Sequence, residues 1–333
     1  MAFVFKETRK DACITNSREH TRFMKKLRLV TCVLVSISLA GCGLRTTEAE
    51  DVSVFSERLT KERLEPITTE PADTTTVSVE IETLHKIAFL GDVSCPASKR
   101  RVERCADEDV RDMITSWGPE RVVIVGDVQY QSHSMRDYTE SFLPTWGSLR
   151  GITKAVPGNH EYAMSQASGY YEAWGLDAGM WSERIGEWLL VGINTSDGCG
   201  VVKCDAGSEQ YNWLAELIRD TECVVVFGHH PRISSGAHGD TERLKDIWEL
   251  MEANDVEAYV SGHDHHYERV SGGVVTQYVV GTGGASLRKA SREGDTVVED
   301  RHGFLAFTAS DKGADVSFIA TDGSYDTHSL TCS

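Results

Sequence analysis

Five short clusters in this 333-residue chain combine side chains able to bind metal ions, and each opens on a glycine. They are Gly91-Asp92-Val93-Ser94, Gly126-Asp127-Val128-Gln129-Tyr130, Gly158-Asn159-His160-Glu161, Gly228-His229-His230-Pro231 and Gly262-His263-Asp264-His265. Imidazole nitrogen, carboxylate, amide oxygen and phenolate together suit borderline and hard metal ions. Two such ions about 3.5–4 Å apart can clamp the attacking and leaving oxygens of an in-line displacement at phosphorus. A carboxylate between them can bridge. Coordination also lowers the pKa of water, so a hydroxide held by both ions is available as a nucleophile near neutral pH. Taken singly the clusters carry little, because aspartate after glycine is ordinary turn chemistry. Asn159-His160 alone could sit in a cap or loop, and Tyr130 alone could be a packing residue. The whole set, in this order, points to a two-metal hydrolytic centre.

Asp92 and His265 are far apart in sequence, so the fold must bring the clusters together. Four clusters stand directly after apolar, strand-like runs: Lys86–Leu90, Arg121–Val125, Val224–Phe227 and Ala258–Val260. Further runs at Leu189–Ile193, Val274–Val280 and Phe304–Thr308 alternate with helical patterns near Asp107–Trp117, Met135–Leu149, Ser208–Arg219 and Thr241–Ala253. This alternation predicts an α/β domain over residues 84–333. It ends in a hairpin from Gly303 to Ala320 that turns near Asp311–Gly313. In α/β sheets ligands sit beyond the carboxyl ends of strands. A glycine there lets the chain turn sharply and leaves room for the side chain that follows.

Hydrophobic residues make up 40% of the chain and charged residues 26%, ordinary for a protein with a sizeable core. The net charge of -17 excludes tracking along nucleic-acid backbones, which needs clustered Lys and Arg. Any anion site must therefore create its own positive potential, as bound metal ions would. At the N-terminus, Lys25, Lys26 and Arg28 precede an apolar run from Leu29 to Ala40, shorter than the roughly 20 residues of a membrane span. The run ends in Leu39-Ala40-Gly41-Cys42, which resembles a bacterial lipobox. Residues 1–42 therefore read as a signal peptide, with Cys42 as the lipidated residue and the protein exported and anchored to a bacterial membrane. Residues 1–23 carry mixed charge that fits no signal peptide, which makes Met24 the expected start. Residues 43–83, rich in Thr and Glu, read as a flexible acidic tether. Six cysteines follow Cys42, and an even number in an oxidising compartment suggests disulfides. Proximity favours Cys95–Cys105 and Cys199–Cys204, leaving Cys223–Cys332. No C-x-x-C pair is present, which argues against a structural zinc site.

Over about residues 84–310, the order and spacing of the clusters resemble the calcineurin-like metallophosphoesterase superfamily, and within it the purple acid phosphatases. The resemblance implies two facing mixed β-sheets flanked by helices, a four-layer sandwich with a dinuclear metal site at the strand C-terminal edge. It implies that Asp92, Asp127, Tyr130 and His265 hold one ion, and that Asp127, Asn159, His229 and His263 hold the other, with Asp127 as bridge. Ser94 stands where many superfamily members have a histidine, and Tyr130 follows the second aspartate by three residues. That exchange is characteristic of the purple acid branch, where tyrosinate binds ferric iron. The implied cofactors are Fe(III) with Fe, Zn or Mn(II). His160 and His238 are implied to contact phosphate oxygens, one of them protonating the leaving alkoxide. The expected substrate is a small phosphorylated molecule, a monoester by preference. A phosphodiesterase of the same superfamily and a non-catalytic surface lipoprotein are the other readings. The oligomeric state is not specified. His230 and His266 are expected to line the cleft or bond locally; His85, His133, His302 and His328 to lie at the surface or cap local structure. Glu161 is expected either to orient a ligand or to be a plain surface carboxylate. Trp174, Met180 and Trp181 are expected to form an apolar wall of the substrate cleft.

Overall fold

Side chains along a strand point alternately to its two faces, and here each face meets a different apolar layer. In the computed structural model, which describes residues 83–96, 98, 105–175 and 179–332, Ile87 and Phe89 face one core while Ala88 and Leu90 face another. Val123 and Val125 alternate with Val122 and Ile124 in the same way. The first sheet has the order β13 (Gly323–Thr331), β12 (Gly313–Ala320), β11 (Gly303–Ala309), β1 (His85–Leu90), β2 (Arg121–Val125) and β3 (Thr153–Val156). The second has the order β10 (Thr296–Val298), β8 (Tyr267–Val270), β9 (Thr276–Val280), β7 (Ala258–Ser261), β6 (Val224–Phe227), β5 (Trp188–Gly192) and β4 (Trp181–Ile185). Both are mixed: β1, β2 and β3 run parallel, as do β5, β6, β7 and β9, while the outer pairings are antiparallel.

The inner faces of the two sheets share one core. Phe89 meets Phe227 at 5.8 Å and Phe307 at 6.0 Å, edge-on in both cases, and Tyr267 stacks on Phe318 at 4.3 Å. Truncating such a phenylalanine to alanine typically costs about 3–5 kcal/mol, through lost transfer energy and the cavity left behind. The outer face of the first sheet is covered by the helix Asp107–Trp117, through Val110 and Ile114, and by Phe142 and Trp146. The outer face of the second is covered by Glu209–Ile218 and Lys245–Glu252, through Leu214, Ile218, Ile247 and Met251. Ser208 caps the first of these two helices, its Oγ accepting the Tyr211 N–H at 3.3 Å. The result is the expected four-layer sandwich, and the hairpin is present as β11 and β12.

Several elements differ from the sequence expectation. Strands β3, β4, β8, β10 and β13 were not anticipated, because they are short or carry polar side chains on an exposed face; β13 reads GSYDTHSLT. The stretch expected as one helix over Met135–Leu149 is a succession of short segments: α-helical Met135–Asp137, a π turn at Tyr138–Phe142, α-helical Leu143–Trp146 and a 3-10 stretch at Gly147–Ile152. The three expected disulfides are present, Cys95–Cys105, Cys199–Cys204 and Cys223–Cys332. The last ties the chain beyond β13 to the residue just before β6. Among the described residues, no helix is long and apolar enough to cross a membrane. The expectations for residues 1–82, including Met24, Cys42 and the tether, lie outside the described residues.

Candidate metal centre

Every cluster follows the carboxyl end of a strand that lies parallel to a neighbour: Asp92 after β1, Asp127 after β2, Asn159 after β3, His229 after β6, and His263 and His265 after β7. The turns out of the strands are tight. Asp92, Asp127 and His263 hold positive φ angles of 60°, 48° and 70°, a backbone region costing about 1–3 kcal/mol for a non-glycine residue and concentrated at functional sites. The chain is pinned there by bonds between clusters. The His263 N–H donates to Asp92 Oδ2 at 2.9 Å, and the His160 N–H donates to Asp127 Oδ1 at 3.0 Å. The glycines allow close approach. A Cβ on Gly158 would lie 2.1 Å from Asp127 Oδ1, and one on Gly262 would lie 2.5 Å from Asp92 Oδ2.

The seven expected ligands assemble as two groups that share Asp127. In the first, the Tyr130 hydroxyl lies 2.8 Å from Asp92 Oδ1, 2.9 Å from Asp127 Oδ2 and 3.1 Å from His265 Nε2. In the second, Asn159 Oδ1 lies 3.0 Å from both His229 Nε2 and His263 Nδ1, and Asp127 Oδ1 is 3.4 Å from His229 Nε2. Asp127 thus turns one oxygen to each group. The His229 Nδ1 lies 3.0 Å from the Val125 carbonyl, and the His265 Nδ1 lies 2.7 Å from the Ser286 carbonyl. A ring that donates through Nδ1 presents its Nε2 lone pair to the centre, the usual support for a metal-binding imidazole.

Electrostatics sharpen the case. Asp92 and Asp127 are 0% and 1% exposed, and among the described ion pairs only imidazoles partner them. Burial pushes both carboxyls up, but the imidazoles outweigh it and hold them below the usual carboxylate range: His265 at Asp92, His229 and His160 at Asp127. Burial, followed by the charges of Asp127 and Asp92, pushes the Tyr130 phenol well above its ordinary value, so it remains protonated unless a cation displaces the proton. Two buried carboxylates without a Lys or Arg partner, together with amide oxygen, imidazole and phenol, form a donor set that fits divalent and trivalent ions. Ligand atoms of Asp92, Asp127 and His229 all lie within 4.8 Å of one another.

Glu161 is fully buried, and its carboxylate clamps the loops beneath the site. Oε2 accepts the Gly158 N–H at 2.6 Å and the Asp127 N–H at 2.9 Å, and Oε1 accepts the Val128 N–H at 2.9 Å. Burial and the Asp127 charge push its pKa up to about 8, against the pull of the backbone donors. The surface-carboxylate alternative is therefore wrong.

His160 stands beside the first group. Its ring meets Tyr130 edge-on at 4.4 Å, its Nδ1 lies 2.7 Å from the Gln131 carbonyl and its Nε2 is 3.9 Å from Asp127 Oδ2. His238 stands beside the second, its ring 4.3 Å from that of His263 and its N–H held by Asp264 Oδ1 at 3.0 Å. The Nη1 of Arg288 lies 2.7 Å from His238 Nε2. A guanidinium only donates, so this Nε2 accepts and the ring proton sits on Nδ1. Arg288 and the supporting carboxylate of Asp264 were missed from sequence, since neither follows from its cluster's pattern.

Other expectations need correction. His133 is buried, stacked on Tyr138 at 5.5 Å, and accepts the Trp174 Nε1–H at 3.2 Å. His230 and His266, by contrast, bond locally as expected, to Thr195 and Glu268, and both are buried. Trp174 and Trp181 line a cavity of about 480 Å³ together with Arg121, Arg150 and Lys154, where no metal ligand contributes. The groove that adjoins the Asn159 loop is lined instead by Tyr162, Gln166, Tyr171 and Val201.

A calcineurin-like phosphoesterase family model matches residues 85–267. Purple acid phosphatase 17 of Arabidopsis thaliana is 31% identical over 183 residues, covering 45% of this chain and 54% of that protein. Purple acid phosphatase 3 of Arabidopsis thaliana is 40% identical over 72 residues, 21% of this chain and 19% of that protein. The chain thus spans about half or less of the length of these curated relatives. Among solved structures, the purple acid phosphatase PPD1 from yellow lupin seeds (Lupinus luteus) superposes with a TM-score of 0.60 at 16% identity, over 75% of this chain and 54% of that one. GAP50, the anchor in the inner membrane complex of Plasmodium, superposes with a TM-score of 0.58 at 15% identity, over 75% of this chain and 89% of that one. The family match spans all five clusters, and on it the chain belongs to the calcineurin-like phosphoesterase family, with purple acid phosphatases among its relatives.

Proposed function

We propose that this chain hydrolyses phosphate esters, monoesters in preference, at a two-metal centre. The observation that carries the reading is the shared Asp127, whose Oδ2 faces Tyr130 and whose Oδ1 faces His229, both inside a buried cluster with no Lys or Arg partner among the described residues. Fold alone would not carry it, since function lives in the site grafted on a fold. Asp92, Asp127, Tyr130 and His265 would hold a ferric ion; Asp127, Asn159, His229 and His263 would hold Fe, Zn or Mn(II). When bound, the metals supply Lewis acidity toward phosphoryl oxygens and lower the pKa of a coordinated water.

The chain's own residues do the rest. Gln131 anchors His160 through Nδ1, leaving Nε2 directed toward the centre to contact a phosphate oxygen. From this position His160 gives an Nε2 proton to the leaving alkoxide, general acid work that typically contributes about 10²–10⁴-fold. His238, with Nε2 engaged by Arg288, contacts phosphate from the His263 side. Export and anchoring through Cys42 belong to the same proposal; the lipobox-like sequence and the three disulfides support it.

The test is turnover of an aryl phosphate monoester against the matching diester, with Asp127→Asn as control and metal content measured in both proteins. Monoester turnover that vanishes in the control, with a visible tyrosinate-to-iron charge-transfer band, is the expected result. A diester preference would move the assignment to a phosphodiesterase, and a metal-loaded protein that hydrolyses neither ester would sink the enzymatic reading.

A further inference from the structure

We propose that Arg288 is a phosphate-binding residue of this site, a guanidinium that reads the charge of the substrate and favours dianionic monoesters over monoanionic diesters. The inference rests on the reading of the centre as a phosphoesterase site. Its basis is position. The Arg288 N–H donates to the carbonyl of His265 at 2.9 Å, and the Ser286 carbonyl pairs with the His265 ring, so the loop is fastened to a ligand-bearing segment at two points. The side chain then reaches His238, whose ring lies against His263. The guanidinium is thereby placed one side chain away from an expected metal ligand.

Among the described residues its charge has no carboxylate partner. Arg121, Arg269, Arg292 and Arg301 each ion-pair with Asp or Glu, whereas Arg288 pairs with no carboxylate among the described residues. It is exposed, bonded to a neutral acceptor, at the rim of a strongly acidic cluster in a chain of net charge -17. A cation left unneutralised there is available to an incoming anion. Of the five N–H donors on a guanidinium, His238 occupies one. The others present the forked geometry that matches two phosphate oxygens, which a lysine cannot reproduce. A monoester carries nearly two charges near pH 7, with a second pKa of about 6, and keeps three non-ester oxygens. A diester carries one charge and keeps two. Removing the cation should therefore cost the monoester more.

The experiment compares Arg288→Ala and Arg288→Lys with the unaltered protein, after metal content and thermal midpoint have been matched. Inorganic phosphate affinity is measured by calorimetry, and KM and kcat are measured on the aryl monoester and diester. The expected result for Arg288→Ala is a loss of about 10–100-fold in phosphate affinity and a rise of similar size in monoester KM, the size of a charge-assisted hydrogen bond. The diester KM should move far less, kcat should fall less than KM rises, and Arg288→Lys should recover only part of the loss. Equal losses on both esters, or a change confined to kcat, would overturn the proposal and leave Arg288 as a support for His238. Unchanged phosphate affinity would also overturn it. If the unaltered protein binds phosphate but hydrolyses neither ester, the functional reading fails, and the calorimetric comparison still decides the role of Arg288.

Discussion

The two ends of β2 carry opposite solutions to the problem of charge near a core. At its start, Arg121 pairs with Glu183 of β4, which also holds Lys154 of β3 at 2.9 Å. Arg150 lies over the Trp174 ring at 3.9 Å and Lys154 over the Trp181 ring at 4.7 Å, so each cation there meets a carboxylate or an aromatic face. Beyond the other end of the same strand, Asp127 and Asp92 are buried, and among the described residues their ion-pair partners are imidazoles alone. The seam between the sheets is electrostatically closed within the chain, whereas the cluster edge leaves negative charge for something outside the chain to neutralise. Buried charge without a full partner is costly, and the strained φ angles at Asp92, Asp127 and His263 add to that cost at the same edge. The difference teaches that charge placement, more than depth of burial, separates the site from the scaffold.

The largest effect is expected at Gly158. A methyl there would collide with the Asp127 carboxylate, so Gly158→Ala is expected to lower metal occupancy and to cut phosphoesterase kcat/KM by more than about 100-fold, beyond the loss typical of outer partners of a metal site. Retained metal content and turnover would mean that the Asp127 geometry is unimportant. Glu161→Gln should act one step further out. It replaces an oxygen that accepts backbone N–H bonds with an NH₂, and metal titration should show affinity lower by about 10–100-fold.

His133 sharpens the contrast among imidazoles. His229 has Asp127 beside it, and although burial pushes its pKa down, Asp127 more than compensates and carries it up to about 10. Burial outweighs the Asp137 charge at His133, three residues beyond Tyr130, and holds its pKa down at about 4. The unfolded chain takes up this proton near pH 6.5 and the folded one only near 4, so stability is lost as pH falls through that window. The loss reaches about 3 kcal/mol at most. Denaturant unfolding at pH 7 and pH 4.5 should show a shallower loss in His133→Gln, and an identical loss would remove His133 from the account. The smallest effect belongs to the seam. Glu183→Gln should cost under about 1 kcal/mol, because the bridge is partly exposed, and should leave metal content untouched. A large fall in turnover there would show that the two ends of β2 are coupled.

From the amino-acid sequence alone came the candidate ligand types, the strands that carry them except β3, and the layers of the fold. A ligand attached just past a strand end is a local matter, because the period-two pattern fixes which side chains enter the core and the glycine fixes where the chain turns. Disulfide pairing followed from proximity for Cys95–Cys105 and Cys199–Cys204, and by remainder for Cys223–Cys332. Tertiary structure alone decided the rest. Arg288 meets His238 across fifty residues, through loops with no periodicity to read. Glu161 became a clamp only because two loops, those after β2 and β3, placed three N–H groups around it. The Trp174 and Trp181 rings went to the basic seam because their neighbours there were cations, which composition cannot reveal. Edge strands such as β4 and β13 stayed hidden because one face meets water, so their apolar runs are broken. Strand ends and their ligands are fixed by covalent neighbours, whereas rims, clamps and edges are fixed by partners that only folding supplies.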